Sequence, residues 1–293
     1  MLEDLKKAAS IAKKIRNDAE KLLKPGESLY NIAETIETKI IDLGGFPGFP
    51  VNISINNIAA HYTPKVNDDK KIKDGDVVKF DYGVHVNGYI IDTAFTVEIN
   101  DNKYKDLIDA SKEALDNVRK IIKKDLEVSK IGEIIDNTIK SKGFKPIYNL
   151  SGHRIERYIL HAGVSIPNYN NNSKIRLSEG TYAVEPFATN GAGFAEDYTL
   201  SGIYSIISDK PIRDPNIRRF FMELYKDYNT IPFAYRWLYN KYNGKINLNI
   251  AIEYLKKNGN LYEYPVLIEQ GDGIVTQFET TFYINNEIFD MMS

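Results

Sequence analysis

A helix-glycine-proline pattern occurs twice in this chain. Residues 28–47 read SLYNIAETIETKIIDLGGFP and residues 128–146 read VSKIGEIIDNTIKSKGFKP, and the two align at a constant offset of 99 positions. Ile32 falls on Ile131, Glu34 on Glu133, Ile36 on Ile135, Ile40 on Ile139, Gly44 on Gly143 and Pro47 on Pro146. Isoleucine at every fourth residue marks one apolar face of a helix. Amphipathic helices often resemble one another, but that does not account for a glycine stop and a proline at the same distance beyond the helix. Two copies of one unit point to two similar α/β halves facing each other, and so to an α+β fold.

The rest of the chain fits around that frame. Residues 3–23 read as a helix, with Ser28 as the N-cap of the next one and Gly44-Gly45 as its stop. Residues 49–61 alternate like a strand followed by a loop. VVKFDYGVHVNGYIIDTAFTVEI, residues 77–99, is a hairpin around Asn87-Gly88, the strongest short hairpin signal. Helices follow at about 104–124 and 128–142. Strand-like segments then carry NLSGHRIERYILHAG, GTYAVEPFAT and GIVTQFETTFYI. Between the last two, residues 203–264 turn helical and Tyr-rich. This stretch reads as an insertion within one domain spanning 1–293.

Composition narrows the chemistry. Lys+Arg 38 against Asp+Glu 40 gives a formal charge of -2, with no excess to hold nucleic acid or a membrane surface. No apolar run is long enough to span a bilayer, and MLEDLKKAASIAKKI is an amphipathic helix rather than a signal peptide. The expected location is therefore cytoplasmic. Cysteine is absent, which removes thiolate nucleophiles and Cys-based zinc sites. Only four histidines occur: His61, His85, His153 and His161. Carboxylates must carry most of any chemistry.

Four carboxylates stand out because they interrupt apolar strands, where Asp and Glu are depleted. With Asn87-Gly88 as the loop, Val86 pairs with Tyr89, Gly83 with Asp92 and Asp81 with Ala94. Asp81 and Asp92 then lie diagonally on one face, roughly 7 Å apart by Cα. Two like charges that close in apolar surroundings need a shared cation or a shared proton. Glu185 in GTYAVEPFAT and Glu279 in VTQFETTFYI are expected in mid-strand as well. His153, after LSG, adds a nitrogen. Four carboxylates and one imidazole suit two divalent ions (Co, Mn, Fe or Zn) sharing bridging carboxylates, an arrangement that activates water for hydrolysis.

In order and surroundings, Asp81, Asp92, His153, Glu185 and Glu279, with FDYG, SGH, EPF and QFE about them, resemble the methionine aminopeptidases. NNIAAHYTP, GHRIERYILHAG and the long insertion between Glu185 and Glu279 resemble the type II subfamily, and the short N-terminus resembles its archaeal members. The resemblance covers almost the whole chain. It implies the pita-bread fold, two pseudo-symmetric α/β halves with antiparallel sheet around a dinuclear metal site. It further implies that Asp81 chelates one metal, that His153 and Glu185 bind the other, and that Asp92 and Glu279 bridge the two. Glu185 is in addition a candidate proton shuttle. His61 and His161 would lie on the substrate side, with His161 hydrogen-bonding the scissile peptide. Phe49, Leu160 and Tyr264 would line the substrate pocket, Leu160 standing where Ile is familiar. His85 matches no motif and is expected at the surface.

By that resemblance the substrate is the N-terminal methionine of nascent chains, preferably before a small second residue. The enzyme would be a monomer in transient contact with the ribosome. Two other readings compete. Prolidases and aminopeptidases P share such a site but carry a sizeable extra N-terminal domain, for which a first ligand at residue 81 leaves no room. Non-catalytic relatives that bind ribosomes or RNA have lost metal ligands, whereas all five stand here.

Overall fold

The computed structural model describes residues 1–293, and the two copies of the repeated pattern fold alike. The first half runs α1 (Leu2–Leu22), α2 (Leu29–Asp42), β1 (Phe46–Ile55), β2 (Ile58–Ala60), β3 (Val77–Val86) and β4 (Tyr89–Glu98). The second runs α3 (Lys105–Ile121), α4 (Val128–Ser141), β5 (Lys145–Pro146), β6 (Ser151–Ile155), β7 (Ser165–Pro167), β8 (Gly180–Val184), β9 (Phe187–Thr189) and β10 (Ala195–Ile206). α2 and α4 are each 14 residues long and start at the same point of the repeat. Each ends near a glycine in the left-handed region, Gly44 at φ 81° and Gly143 at φ 84°, where a side chain would be strained. Ser28 caps α2 by accepting the Asn31 N–H on its hydroxyl.

The isoleucine faces of α2 and α4 are buried, as are Leu5, Ala8, Ala12 and Ile15 of α1. They join the hairpin residues Phe80, Tyr82 and Phe95 in one continuous core. Burying a side chain of this size contributes roughly 1.5–3 kcal/mol, so the helices are fastened to the outer faces of the sheets. That leaves the inner sheet faces to form the site.

The remaining elements are α5 (Pro215–Tyr228), β11 (Phe233–Ala234), α6 (Tyr235–Tyr242), α7 (Leu248–Asn258), β12 (Leu261–Glu269), β13 (Val275–Gln277), β14 (Thr280–Ile284) and β15 (Ile288–Asp290). The sheets are antiparallel, in the orders β1-β3-β4, β15-β14-β8-β6-β7, β13-β9-β5 and β11-β10-β12-β2. The three helices α5–α7 pack on a core of their own around Phe220, Leu224, Phe233, Leu238 and Leu255. Residues 203 and 264 themselves pair within β10 and β12, so the helical excursion grows out of a continuous antiparallel ribbon. No helix is long and apolar enough to cross a membrane.

Two expectations need correction. Glu185 and Glu279 are not in mid-strand: Glu185 sits between β8 and β9, and Glu279 between β13 and β14. Pro186 follows Glu185 and cannot donate to a ladder, while Glu279 makes an isolated bridge to Ala94 of β4. His85 is half-buried rather than a free surface residue. Its ring stacks on Phe46 and its Nδ1 accepts the Gly88 N–H at 3.2 Å, so the imidazole braces the hairpin turn. Burial pushes its pKa down to about 4.

Candidate metal centre

The hairpin has the register its Asn-Gly turn dictates: Val86 opposite Tyr89, Gly83 opposite Asp92, Asp81 opposite Ala94. Asp81 and Asp92 therefore share one face. Gly83 is needed between them, because a Cβ there would come within 2.6 Å of the Phe49 ring. His153 arrives on β6, paired with Ala183 of β8. The preceding Gly152 lets these strands approach, since a Cβ on it would meet the Ala183 carbonyl oxygen at 2.3 Å. The glycines of FDYG and SGH thus have a steric reason.

The two halves are stitched together by threonines. The Thr281 hydroxyl accepts the Asp92 N–H at 2.8 Å and donates to the Asp92 carbonyl at 2.7 Å. The Thr96 hydroxyl does the same for Gln277, at 2.8 and 2.7 Å. Thr93 donates to the Glu279 carbonyl at 2.9 Å, and Glu279 N–H donates to the Ala94 carbonyl at 3.0 Å. Strand β4 of the first half thereby positions Gln277 and Glu279 of the second.

These elements bring all ten expected residues to one cavity of about 250 Å³: Asp81, Asp92, His153, Glu185 and Glu279, with His61, His161, Phe49, Leu160 and Tyr264. His153 Nε2 lies 3.4 Å from Asp92 Oδ2 and 4.0 Å from Glu185 Oε1. One ligand atom each from Asp92, His153 and Glu279 falls within 4.8 Å of the others. Burial, then the charge of Asp92 and other neighbouring carboxylates, raises Asp81, Glu185 and Glu279 well above the usual carboxylate range. Such a group cannot be fully ionised without a cation. Buried oxygens on Asp81, Asp92 and Glu279 find no hydrogen-bond partner in the protein. A set of oxygens and one imidazole, desolvated and unpaired, fits divalent metal.

Sequence reasoning missed two residues of this cluster. Gln277 Nε2 donates toward Glu185 Oε2 at 3.3 Å and Glu279 Oε2 at 3.4 Å, setting the orientation of both. Asn52, paired with Asp81 across β1 and β3, offsets part of that carboxyl's upward shift. The spacing of Gln277 two residues before Glu279 was the available signal, since it puts both on one side of an extended chain. Asn52 had no comparable signal.

The histidines form the other side of the cavity. His61 holds a left-handed backbone, φ 63°, and its Nδ1–H donates to the Pro265 carbonyl at 3.1 Å. Burial lowers its pKa, so the neutral ring presents Nε2 as an acceptor. His161 stands edge-on to His153, centroids 4.3 Å apart, with Tyr264 6.2 Å away. His161 is exposed where it lines the cavity. Desolvation by the surrounding walls and the neighbouring His153 and His61 push its pKa down to about 3. Both imidazoles are neutral hydrogen-bonding groups near neutral pH.

Residues 3–219 match the model of metallopeptidase family M24. The methionine aminopeptidase of Pyrococcus horikoshii is 46% identical over 98% of this chain and 97% of its own length. Among solved structures, a thermophilic Arx1 superposes with TM-score 0.85 at 17% identity, covering 99% of this chain and 90% of that one. The methionine aminopeptidase of Thermotoga maritima superposes with TM-score 0.71 at 20% identity, covering 99% and 96%. At those identities the two structures speak to fold alone, and the fold they share with this chain is the pita-bread arrangement.

Proposed function

The chain belongs to metallopeptidase family M24, and on that premise we propose that its cavity removes the N-terminal methionine from peptides and nascent proteins. It is a metal-dependent aminopeptidase, a hydrolase of the first peptide bond. The observation that most supports this is the meeting of five metal-type side chains from both halves beside an apolar pocket. Asp81, Asp92, His153, Glu185 and Glu279 would hold two divalent ions, with Asp92 and Glu279 shared between them. Bound there, the ions supply Lewis-acid polarisation of the carbonyl and a water of lowered pKa.

The protein groups do the rest. Glu185 lines the cavity on the His153 side, and it would carry a proton to the leaving amine. His61 has committed Nδ1–H to Pro265, so its Nε2 can only accept, and the peptide N–H beyond the cut is the donor it suits. His161 steadies the scissile carbonyl as charge develops on its oxygen. Phe49 and Leu160 offer the apolar wall a thioether needs, and Tyr264 borders the mouth beside His61. This reading makes the protein a cytoplasmic monomer in transient contact with the ribosome, with residues 203–264 as an insertion within one catalytic domain.

Anaerobic assay of Met-Ala-Ser against an X-Pro peptide, with Co, Mn, Fe or Zn added in turn, tests the function. Release of methionine from the first peptide alone is expected, and its loss on chelation. Cleavage of only the X-Pro peptide would overturn it. For the substrate-side role, His161→Ala is expected to keep full metal content while kcat falls about 10²-fold, the scale of one lost oxyanion donor. Loss of metal in that variant counts against the assignment.

A further inference from the structure

A second cavity, of about 460 Å³, lies behind the first. Three chain segments form the partition, and each gives one residue to either side. Pro47 faces the second cavity and Phe49 the catalytic one; Tyr158 faces the second and Leu160 the catalytic one; Ile231 faces the second and Pro232 the catalytic one. Between them lies a small apolar cluster of Phe49, Leu160 and Ile231, with Ile90, Ile155 and Ala183, and Tyr158 packed against it. Ile231 is 2% exposed. Ile231 lines only the second cavity and backs the cluster whose Phe49 and Leu160 line the catalytic one.

Hydrogen bonds from three elements hold the wall in place. Tyr158 has a left-handed backbone, φ 62°, unusual for a bulky residue. Its N–H donates to the Gly88 carbonyl of the hairpin turn at 2.8 Å, and its carbonyl accepts the Thr230 hydroxyl at 2.5 Å. Ile231 N–H is tied to the Tyr228 carbonyl at 2.9 Å. The second cavity brings no clear charge preference of its own. Glu37 and Glu34 both lie against Arg236, and Asp227 against Lys241, so each of its carboxylates already faces a cation. It is better understood as space that the wall denies to the catalytic cavity.

We propose that Ile231 sets the length of N-terminal side chain the enzyme accepts, by holding Phe49 and Leu160 against the methionine side and away from the cavity behind them. This rests on the function proposed above, with Phe49 and Leu160 on the methionine side. Shortening Ile231 lets Phe49 and Leu160 shift toward the second cavity and so makes room for a longer or bulkier first residue. The penalty for one surplus methylene in a closed apolar pocket is about 10–200-fold, and it should largely disappear.

The test compares Met-Ala-Ser with peptides beginning in ethionine and phenylalanine, on the metal-loaded enzyme. In I231A the ratio of kcat/KM for the bulkier peptides to that for Met-Ala-Ser is expected to rise on the order of tenfold or more. Met-Ala-Ser itself should lose efficiency through KM, because its side chain is packed less well. I231V should move the ratio the same way by less, and it serves where I231A melts too low to assay. An unchanged ratio in a folded variant overturns the role of Ile231. Failure of the parent enzyme to cleave Met-Ala-Ser would instead overturn the function, and this role of Ile231 with it.

Discussion

Replacing Glu279 with Ala is expected to remove metal and activity together. Its carboxyl is 3% exposed, groups with Asp92 and His153 within ligand distance, and leaves one oxygen without any partner in the protein. In the proposed arrangement this carboxylate would serve both ions, so its loss could not be made good by filling one site alone. Lewis-acid stabilisation is worth several kcal/mol, and at ~1.4 kcal/mol per tenfold the fall in kcat/KM is on the order of a thousandfold or more. The metal-free protein should behave in the opposite sense. Burial and like charge already disfavour the ionised Glu279, so Glu279→Gln should melt no lower than the metal-free parent while binding metal poorly. Elemental analysis, turnover at saturating Co or Mn, and melting curves read the three quantities. A variant that holds two metals per chain and turns over normally would falsify the bridging role.

How much of this was legible in the sequence varies with the range of the interaction. The hairpin register was, because an Asn-Gly loop leaves one way to pair ten residues on each side, and Asp81 and Asp92 follow from it. The repeat was legible for the same reason: helix stop and apolar period are local signals. Glu185 and Glu279 were legible as candidate ligands, and the structure brings both to the cavity, but they were misplaced as mid-strand residues. Their breaks come from Pro186 and from the bridge to Ala94, and the second of these is a contact made 185 residues away. Thr93, Thr96 and Thr281 gave no warning at all, since threonine is an ordinary strand residue. Only the fold shows that their hydroxyls join one half to the other. His85 was misjudged because its isolation from any motif says nothing about the Phe46 ring beside it.

The least legible contact predicts the second large effect, a loss of stability on replacing Arg236. Glu37 looks like one more polar residue of α2, and Arg236 like a surface cation of α6. In the fold their side chains are 6% and 0% exposed and paired, 199 residues apart, fixing the inserted helices to the first half. Glu37 is also the acceptor for Val51 N–H at 2.9 Å and Trp237 Nε1 at 2.7 Å. Glu34 lies 3.2 Å from Arg236 Nε, near enough for charge though not aligned for a hydrogen bond. Breaking a buried pair from one side costs about 3–5 kcal/mol, because the other charge stays buried alone. At roughly 2–4 °C per kcal/mol for a chain this large, Arg236→Ala should lower the melting temperature by roughly 10 °C. Its KM for Met-Ala-Ser should also rise, since the segment through Ile231 and Pro232 loses its anchor. Removing both buried charges tells charge from packing: Arg236→Met with Glu37→Gln keeps an acceptor for one of Val51 and Trp237 and leaves only the partly exposed Glu34 charged at this point. That double variant should recover most of the lost stability. If it melts as low as the sum of the two single variants, the pair is not coupled and the helices are held by their apolar contacts instead.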